Sequence, residues 1–327
     1  MRADQTACPM MRQGVPFCGL PFVSLDQVPG TAGAVVMGAG LSLGAPHSGT
    51  ENAPFFLRTL SKAHTWSAKH PAVIDLANSR ILLSDVFDIG DVLIDDEDLA
   101  GALGLVERAV AALPDDVAPC VIGGDHTVTL AVARALLARR TDPFWVVQLD
   151  HHLDLQLWGD DPDRPDGREA IFHTNVMSHV SDLLGPGRLL QLGVNPFATA
   201  EATSIESALA YLRRVGRQVS VTDPRLTDET ALSALAGQGR DVYLTVDIDV
   251  LDAQSMSSTG YPAEVGLSVP HLLRLVDVVL AGNRLIGCDV VEFRADAADR
   301  SPKTLADGGR AVTILLHLLR YLRAGAA

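Results

Sequence analysis

The chain alternates between short apolar runs and longer stretches in which apolar residues recur with helical spacing. The runs have the length of strands, and several are apolar throughout, as strands covered on both faces are. Strands that alternate with helices favour an α/β fold, with a parallel sheet and helices on both faces. The predicted strands are 34–37, 81–86, 120–123, 144–150, 189–194, 218–221, 242–248 and 285–293, and the predicted helices are 53–63, 98–113, 128–140, 203–215, 228–235 and 270–280, with a last helix ending near residue 323.

Composition and charge narrow the range of possible functions. Of 327 residues, 47% are hydrophobic and 20% charged, and 40 acidic against 26 basic residues give a net charge of −14. The hydrophobic content argues against disorder, because the chain can bury a core. The negative net charge argues against nucleic acid or an anionic membrane as a partner, because no excess of basic residues is present to neutralise phosphate. A cationic partner or substrate fits better. The N-terminus lacks the apolar run of a secretory signal, and the most apolar stretch, 32–45, is shorter than a membrane span. We therefore expect a cytoplasmic protein.

Domain organisation follows from the absence of a clear boundary. The four cysteines are scattered without a C-x-x-C pair, which favours buried or incidental thiols over a metal or redox role. The one compositional break, GDDPDRPDG at 159–167, is polar and turn-forming, and we interpret it as a surface loop. Because nothing there divides two cores, we expect a single domain over 1–327, with 1–30 as an irregular N-terminal extension.

Three predicted strand ends carry clusters of metal-binding side chains, at the sheet edge where ligands bind in parallel folds. In an extended chain Asp150, His152 and Asp154 would project to the same side. Asp247 and Asp249 repeat that spacing after a later strand. Closely spaced carboxylates repel one another unless a cation neutralises them. The third cluster, Gly124-Asp125-His126-Thr127, adds an imidazole, and a metal site explains all three.

Taken singly, these residues have simpler interpretations. His126 could lie at a helix N-terminus, beside an Asp125 or Thr127 cap, and Asp247 or Asp249 could hold a turn. Clusters at three separate strand ends make coincidence a poor explanation. Four carboxylates and two imidazoles exceed the ligand set of one tetrahedral zinc and suffice for two bridged ions. Oxygen-rich ligands with some nitrogen favour manganese, with nickel, cobalt and iron left open.

Together these residues resemble the ureohydrolases, the superfamily of arginase and agmatinase. The resemblance rests on GGDHT at 123–127, D-x-H-x-D at 150–154 and D-x-D at 247–249, and on two earlier segments, SGTENAP at 48–54 and DIGD at 88–91. It implies a three-layer α/β/α fold around an eight-stranded, mostly parallel sheet, assembled as a homo-oligomer, a trimer or hexamer. It also implies hydrolysis of a small cationic guanidino compound to urea and a primary amine.

The resemblance further implies two Mn²⁺ ions per subunit. By motif position, Asp150 and Asp247 would bridge the metals, His126 and Asp154 would complete one site, and His152 and Asp249 the other. The two cations would lower the pKa of a shared water, and Asp154 can carry the proton toward the leaving amine. His173 stands where the family has a histidine that shuttles protons or orients substrate, and an outer or surface histidine is the alternative. Glu292 stands where the family pairs a glutamate with the guanidinium, whose planar fork a carboxylate matches.

The sequence departs from the family pattern at positions that we expect at the mouth of the substrate pocket. His151 stands where a small residue is usual, so it could border the metals, face away from them or touch substrate. Phe293-Arg294 replaces the usual Asn-Pro. As a hypothesis, Arg294, or Arg164 or Arg168 of the inserted loop, meets a carboxylate on a longer guanidino acid. Solvated arginines are the alternative.

Rival functions stay open. A formimidoyl-amino-acid hydrolase, or a related amidohydrolase of the same fold, would keep the metals and release formamide. A lapsed enzyme serving as a metal-binding regulatory subunit is disfavoured, because all six proposed ligands are present. A nucleotide-binding protein is disfavoured as well, since Gly38-Ala39-Gly40 is not followed by a third glycine at Leu43.

Overall fold

A central sheet of nine strands dominates the computed structural model, which describes residues 9–64, 73–95, 97–155, 170–198 and 205–322. The strands are β1 (Met11–Arg12), β2 (Ala34–Gly38), β3 (Ile74–Asp75), β4 (Arg80–Ile81), β5 (Val86–Val92), β6 (Ala118–Ile122), β7 (Trp145–Leu149), β8 (Leu189–Val194), β9 (Gly216–Ser220), β10 (Asp241–Asp247) and β11 (Arg284–Val291). The sheet order is β1-β5-β2-β6-β11-β10-β7-β8-β9, and β3 pairs with β4 separately. Every pair in the main sheet is parallel except β1 with β5.

Helices cover both faces of this sheet. They are α1 (Ala53–Ser61), α2 (Leu99–Ala111), α3 (Val128–Ala138), α4 (Val176–Leu184), α5 (Ile205–Val215), α6 (Glu229–Ala236), α7 (Val269–Leu280) and α8 (Pro302–Leu319). Alternate residues of β2 enter two separate apolar cores, one shared with α1, α6, α7 and α8 and the other with α2, α3, α4 and α5. The sheet therefore has two buried faces, which explains its continuous apolar runs. No helix within the described ranges is long and apolar enough to cross a membrane.

The predicted fold class is confirmed, with corrections in detail. Eight parallel strands form the sheet, and β1 adds a short antiparallel strand at its edge. The strand predicted at 81–86 is wrong in position, because β5 begins at Val86 and carries the polar residues Asp88 and Asp91. Asp88 is fully buried and its Oδ2 accepts hydrogen bonds from Arg58 Nη1 and the Phe17 N–H. Helix α4 has no counterpart in the prediction.

The N-terminal segment is packed against the sheet. Residues 9–30 contain β1 and short turns, consistent with a mostly irregular segment. Phe17 and Cys18 are nevertheless buried, and the Cys18 N–H donates to Ser61 Oγ at 2.7 Å. These residues thus contribute to the apolar core shared with α1.

Four neighbouring strands position the chemistry. β6, β11, β10 and β7 lie side by side at the centre of the sheet. Because they are parallel, their carboxyl ends open on the same edge, and the segments that follow them meet there.

Candidate active site

Four buried side chains converge beyond the ends of β6, β7 and β10. They are His126, Asp150, Asp154 and Asp247, with ligand atoms within 4.8 Å of one another. His126 Nδ1 lies 2.9 Å from Asp154 Oδ2, 3.2 Å from Asp247 Oδ2 and 3.3 Å from Asp150 Oδ2. This nitrogen is buried and makes no hydrogen bond of good geometry. A buried polar atom without a partner calls for another kind of bond.

The spacing of these atoms fits a cation. Two ligands at right angles around an ion, each bound at about 2.1 Å, lie about 3.0 Å apart. The three distances from His126 Nδ1, 2.9 to 3.3 Å, have that size. The other ring nitrogen, Nε2, lies 2.9 Å from Thr245 Oγ1, which directs Nδ1 toward the carboxylates.

A second ligand group shares Asp150 with the first. It consists of Asp150, His152 and Asp249. His152 Nδ1 lies 3.0 Å from Asp249 Oδ2 and 3.7 Å from Asp150 Oδ1, whereas Asp150 Oδ2 faces His126. The two oxygens of Asp150 thus face different groups, as a bridging ligand requires. Asp247 belongs to the first group, and its Oδ1 accepts the Asp249 N–H at 2.9 Å.

Turns bring these carboxylates together, and the expected extended comb is wrong. β7 ends before Asp150, whose Oδ1 accepts the His152 N–H at 2.5 Å. Asp154 has a left-handed backbone, with φ of 48°. A 3₁₀ turn, Ile248–Val250, follows β10 in the same way. The ligands therefore converge because the chain turns sharply where the strands end.

The acidic groups at this edge are electrostatically unfavourable. Burial and the charge of Asp249 raise the pKa of Asp247 well above its ordinary value. Burial and the charge of Asp150 raise the pKa of Asp249 to about 7. Burial lowers the pKa of His126, but the Asp150 and Asp154 carboxylates outweigh burial and leave that pKa well above its usual range. The cluster attracts positive charge, which divalent cations would supply.

Glu292 and His173 border the first ligand group. Glu292 Oε1 accepts the backbone N–H of His126 at 2.8 Å and lies 3.5 Å from His173 Nδ1. Burial lowers the pKa of His173, and Glu292 outweighs burial, so that the pKa is raised. Glu292 shares with Asp154 a left-handed backbone, with φ of 60° and 48°. Such conformations cost about 1–3 kcal/mol in non-glycine residues and cluster at functional sites.

Comparison with known proteins identifies the family of this chain. The sequence model of the arginase family matches residues 32–316. This chain belongs to the arginase family. It is 27% identical to an agmatinase of Bacillus cereus, over 66% of this chain and 70% of that protein, and 29% identical to a formimidoylglutamase of Halobacterium salinarum, over 75% and 74%. The structure of proclavaminate amidinohydrolase from Streptomyces clavuligerus has a TM-score of 0.73 and 25% identity, covering 96% of this chain and 99% of that chain.

Membership of the arginase family confirms the ureohydrolase resemblance and the predicted enzyme class. This arginase-family chain is a metal-dependent hydrolase that acts on C–N bonds of linear amidines. The two ligand groups contain histidine and aspartate side chains that could hold metal ions.

We expect Mn²⁺ to raise the melting temperature of the metal-free arginase-family protein. A cation that binds the folded form alone stabilises it by about 4 kcal/mol at a thousand times its dissociation constant. For a chain of this size that is roughly 5–10 °C, which differential scanning fluorimetry measures. Asp150→Ala should lose most of the shift. An equal shift in this variant would contradict the ligand assignment.

Asp125, which precedes His126, has a structural role in this arginase-family site that the sequence did not indicate. It is buried, and its two oxygens accept the Gly44 N–H at 2.7 Å and the Thr127 N–H at 3.0 Å. The Gly44 carbonyl accepts the N–H of His173 at 3.0 Å. Asp125 therefore connects the His126 segment to the segment that carries His173.

The other predicted residues lie outside the two ligand groups. His151 is buried, with Nε2 3.0 Å from Asn195 Nδ2, and its ring meets the His152 ring edge-on. Arg294 is exposed, and its Nε donates to the Ser48 carbonyl at 2.6 Å. Arg164, Arg168 and the predicted loop at 159–167 lie outside the described residues.

Tyr261 is a neighbour of the site that sequence reasoning missed. The centroid of its ring lies 6.0 Å from that of His152, 6.0 Å from that of His173 and 5.2 Å from that of His47. It lies in a loop between a glycine and a proline, where periodicity carries no information. His47, also missed, directly precedes the SGTENAP segment, but only the spatial arrangement shows that its ring and that of Tyr261 lie together.

Proposed function

We propose that this chain hydrolyses the guanidinium group of a small guanidino compound to urea and a primary amine, using two metal ions. The observation that carries the proposal is the pair of ligand groups that share Asp150, one group at each carboxylate oxygen. Beside them Glu292 offers a buried negative charge to a cationic substrate.

The proposal assigns the six candidate ligands to two ion sites. Asp150 and Asp247 would bridge the ions, His126 and Asp154 would complete one site, and His152 and Asp249 the other. When bound, two Mn²⁺ ions, or Ni²⁺, Co²⁺ or Fe²⁺ in their place, supply an activated water at neutral pH. The unpartnered Nδ1 of His126 and the oxygen-rich ligand set support this assignment.

Glu292 would bind and orient the substrate. A carboxylate can accept two parallel hydrogen bonds from a planar guanidinium. Glu292 is only 5% exposed, and an ion pair is stronger where water is excluded. The hydrogen bond from the His126 N–H, at 2.8 Å, holds the carboxylate beside the first ligand group.

Asp154 and His173 would transfer protons during the reaction. Asp154 lies in the first ligand group and would carry a proton toward the leaving amine. His173 Nδ1 lies 3.5 Å from Glu292, whose charge favours the protonated imidazole against the effect of burial. A protonated histidine near the leaving group could donate or orient during amine release.

A substrate panel tests the proposal. Metal-free protein is reconstituted with Mn²⁺ or Ni²⁺ and incubated with arginine, agmatine and a series of guanidino acids, and urea is measured. Urea from at least one compound, dependent on added metal, is the expected result. Formamide from formimidoyl amino acids, without urea from any guanidine, would instead establish the formimidoyl-amino-acid hydrolase. Tight metal binding without turnover of either class would indicate the regulatory subunit.

The formimidoyl alternative has a specific basis. The formimidoylglutamase relative is as similar to this chain as the agmatinase relative is. Both chemistries use a cationic, planar C–N group, so Glu292 suits either. We favour the guanidino substrate because this chain resembles both an agmatinase and a proclavaminate amidinohydrolase.

Arg294→Ala should raise KM selectively for guanidino acids, because a hydrogen bond to a charged group is worth about 1.5–3 kcal/mol, or roughly tenfold or more. KM values for guanidinobutyrate and agmatine measure the selectivity. Arg300→Ala is the matched control, since Arg300 also donates to backbone carbonyls nearby. An equal loss on agmatine would reject a carboxylate partner for Arg294.

Assembly and location complete the proposal. We propose one catalytic domain over 1–327, a homotrimer or homohexamer, and a cytoplasmic protein. Sedimentation velocity tests the assembly, and fractionation of the native host tests the compartment. The net charge of −14 supports a protein that binds neither nucleic acid nor anionic membrane.

A further inference from the structure

Tyr261 occupies a loop that is closed at its base. The Tyr261 loop, residues 251–267, connects the turn after β10 to α7, and Leu251 forms a bridge with Leu267 and Asp252 with Ala263. The Ala253 N–H donates to the Ala263 carbonyl at 2.8 Å. The loop therefore leaves and returns to the sheet edge at fixed points.

A buried carboxylate holds the loop in the middle. Asp307 of α8 is 1% exposed, and its Oδ2 accepts the N–H and hydroxyl groups of Ser257 and Ser258 at 2.9 to 3.0 Å. Pro262 follows Tyr261 and restricts its backbone to extended conformations. The phenol ring is thus presented by a constrained segment.

The ring contacts two imidazoles of the site, those of His152 and His173. It is nearly parallel to His173, at an interplanar angle of 20°, and meets His152 edge-on at 76°. His152 belongs to the second ligand group and His173 faces Glu292. One aromatic side chain therefore contacts a member of the second ligand group and the histidine that lies beside Glu292.

Part of the Tyr261 side chain is open to solvent. Tyr261 is 44% exposed and its hydroxyl has no hydrogen-bond partner among the described residues. His47 packs against the ring at 5.2 Å, and the next residue, Ser48, accepts the Arg294 Nε–H. Tyr261 is thus linked through His47 and Ser48 to the exposed guanidinium of Arg294.

We propose that Tyr261 determines which substrates are accepted, by acting as a wall that limits the length of the tail attached to the reacting C–N group. The inference rests on the proposed function. A substrate whose head lies between Glu292 and the ligand groups has its tail directed past the Tyr261 ring. A short guanidino acid packs its methylenes on the ring and presents its carboxylate to Arg294. A longer tail meets the ring or the constrained loop.

The test is a chain-length profile in wild type, Tyr261→Ala and Tyr261→Phe, all loaded with Mn²⁺. Guanidinoacetate, guanidinopropionate, guanidinobutyrate and guanidinohexanoate form the series. We expect Tyr261→Ala to raise the ratio of kcat/KM for the longest over the best short acid by at least about tenfold, since one or two methylenes against a wall discriminate to that extent. Tyr261→Phe keeps the ring and should keep the profile.

A matched control and the form of any loss separate a wall from a structural role. Phe55→Ala removes a similarly exposed aromatic ring, 48% exposed, from α1, and should leave the profile unchanged. A uniform loss of kcat across all lengths in Tyr261→Ala would show that the ring merely positions His173 and would overturn the proposal. An unchanged profile in Tyr261→Ala, or one altered equally in Tyr261→Phe, would overturn it too.

A binding readout separates this inference from the proposed function. Titration calorimetry of the same acids with the Mn²⁺-loaded proteins gives dissociation constants for the acids that are not hydrolysed, and KM takes their place for the acids that release urea. If wild type releases no urea, the proposed function fails, yet a length preference in binding that Tyr261→Ala removes still supports the wall. If wild type releases urea but shows no length preference in either readout, the wall fails alone.

Discussion

Replacing Asp150 with alanine should reduce urea release by about 10³-fold, since a bound cation supplies several kcal/mol of transition-state stabilisation and each 1.36 kcal/mol is tenfold in rate. Asp150 is the one side chain that both ligand groups share, with a different oxygen facing each. Steady-state assays at saturating Mn²⁺ give the rate, and elemental analysis after gel filtration gives the bound metal. We expect the metal content to fall together with the activity.

Asp142→Ala is the control for this variant. Asp142 is an exposed acid just before the start of β7, away from the carboxyl ends of the strands. Its replacement therefore removes a charge without affecting the candidate ligands. It should keep activity within about twofold, as surface substitutions change little. Near-normal turnover by Asp150→Ala with its full metal content would contradict the shared-ligand assignment, and Asp247→Ala repeats the test on the second proposed bridge.

Glu292→Gln should lower kcat/KM for the guanidino substrate by roughly 10²–10³-fold while metal content stays at the wild-type level. The amide keeps the shape and can still accept the His126 N–H, but it removes the charge that faces the cation. Losing one member of a buried charge pair costs about 3–5 kcal/mol. Unchanged metal content distinguishes this variant from Asp150→Ala.

Glu264→Gln is the matched control, because Glu264 is an exposed acid in the Tyr261 loop. It changes the net charge equally and tests whether acidity in general attracts guanidinium ions. Comparable losses in both variants would point to long-range steering, which added salt would weaken. A kcat/KM for Glu292→Gln within threefold of wild type would show that Glu292 does not pair with the substrate.

The convergence of the candidate ligands was predictable because these residues follow strands of clear apolar pattern. Once β6, β7 and β10 are read as parallel, the polar residues after them must meet at one edge, whichever strands are neighbours. His126, Asp150 and Asp247 needed only this argument. The proposed pairing of Glu292 with a guanidinium had a weaker local basis and came from the family resemblance.

Local backbone geometry was the part that patterns could not predict. The extended comb predicted for Asp150 and Asp154 is a turn, because Asp150 caps the His152 N–H and Asp154 adopts a left-handed φ. These preferences depend on contacts made after folding. Strand β5 was misplaced for a related reason, since the buried Asp88 looks like a loop residue until Arg58 is brought beside it.

Tyr261 marks a second limit of sequence reasoning. Its importance comes from ring contacts with His47, His152 and His173, which lie far from it in the chain. No residue type or spacing near Tyr261 distinguishes it from an ordinary loop tyrosine. Specificity residues of this kind lie on loops, where neither periodicity nor strand ends constrain position.

The order of the central strands has a consequence for how the protein matures. The segments that end in the ligand groups and Glu292 come from strands between Ala118 and Val291, and β11, last of them in the chain, lies between β6 and β10 in the sheet. Long-range parallel pairing is slow, so the ligand set is complete only when the C-terminal strand has inserted between earlier ones. Metal uptake should therefore be a late event after synthesis, and the rate at which refolding protein takes up Mn²⁺ should report the insertion of β11.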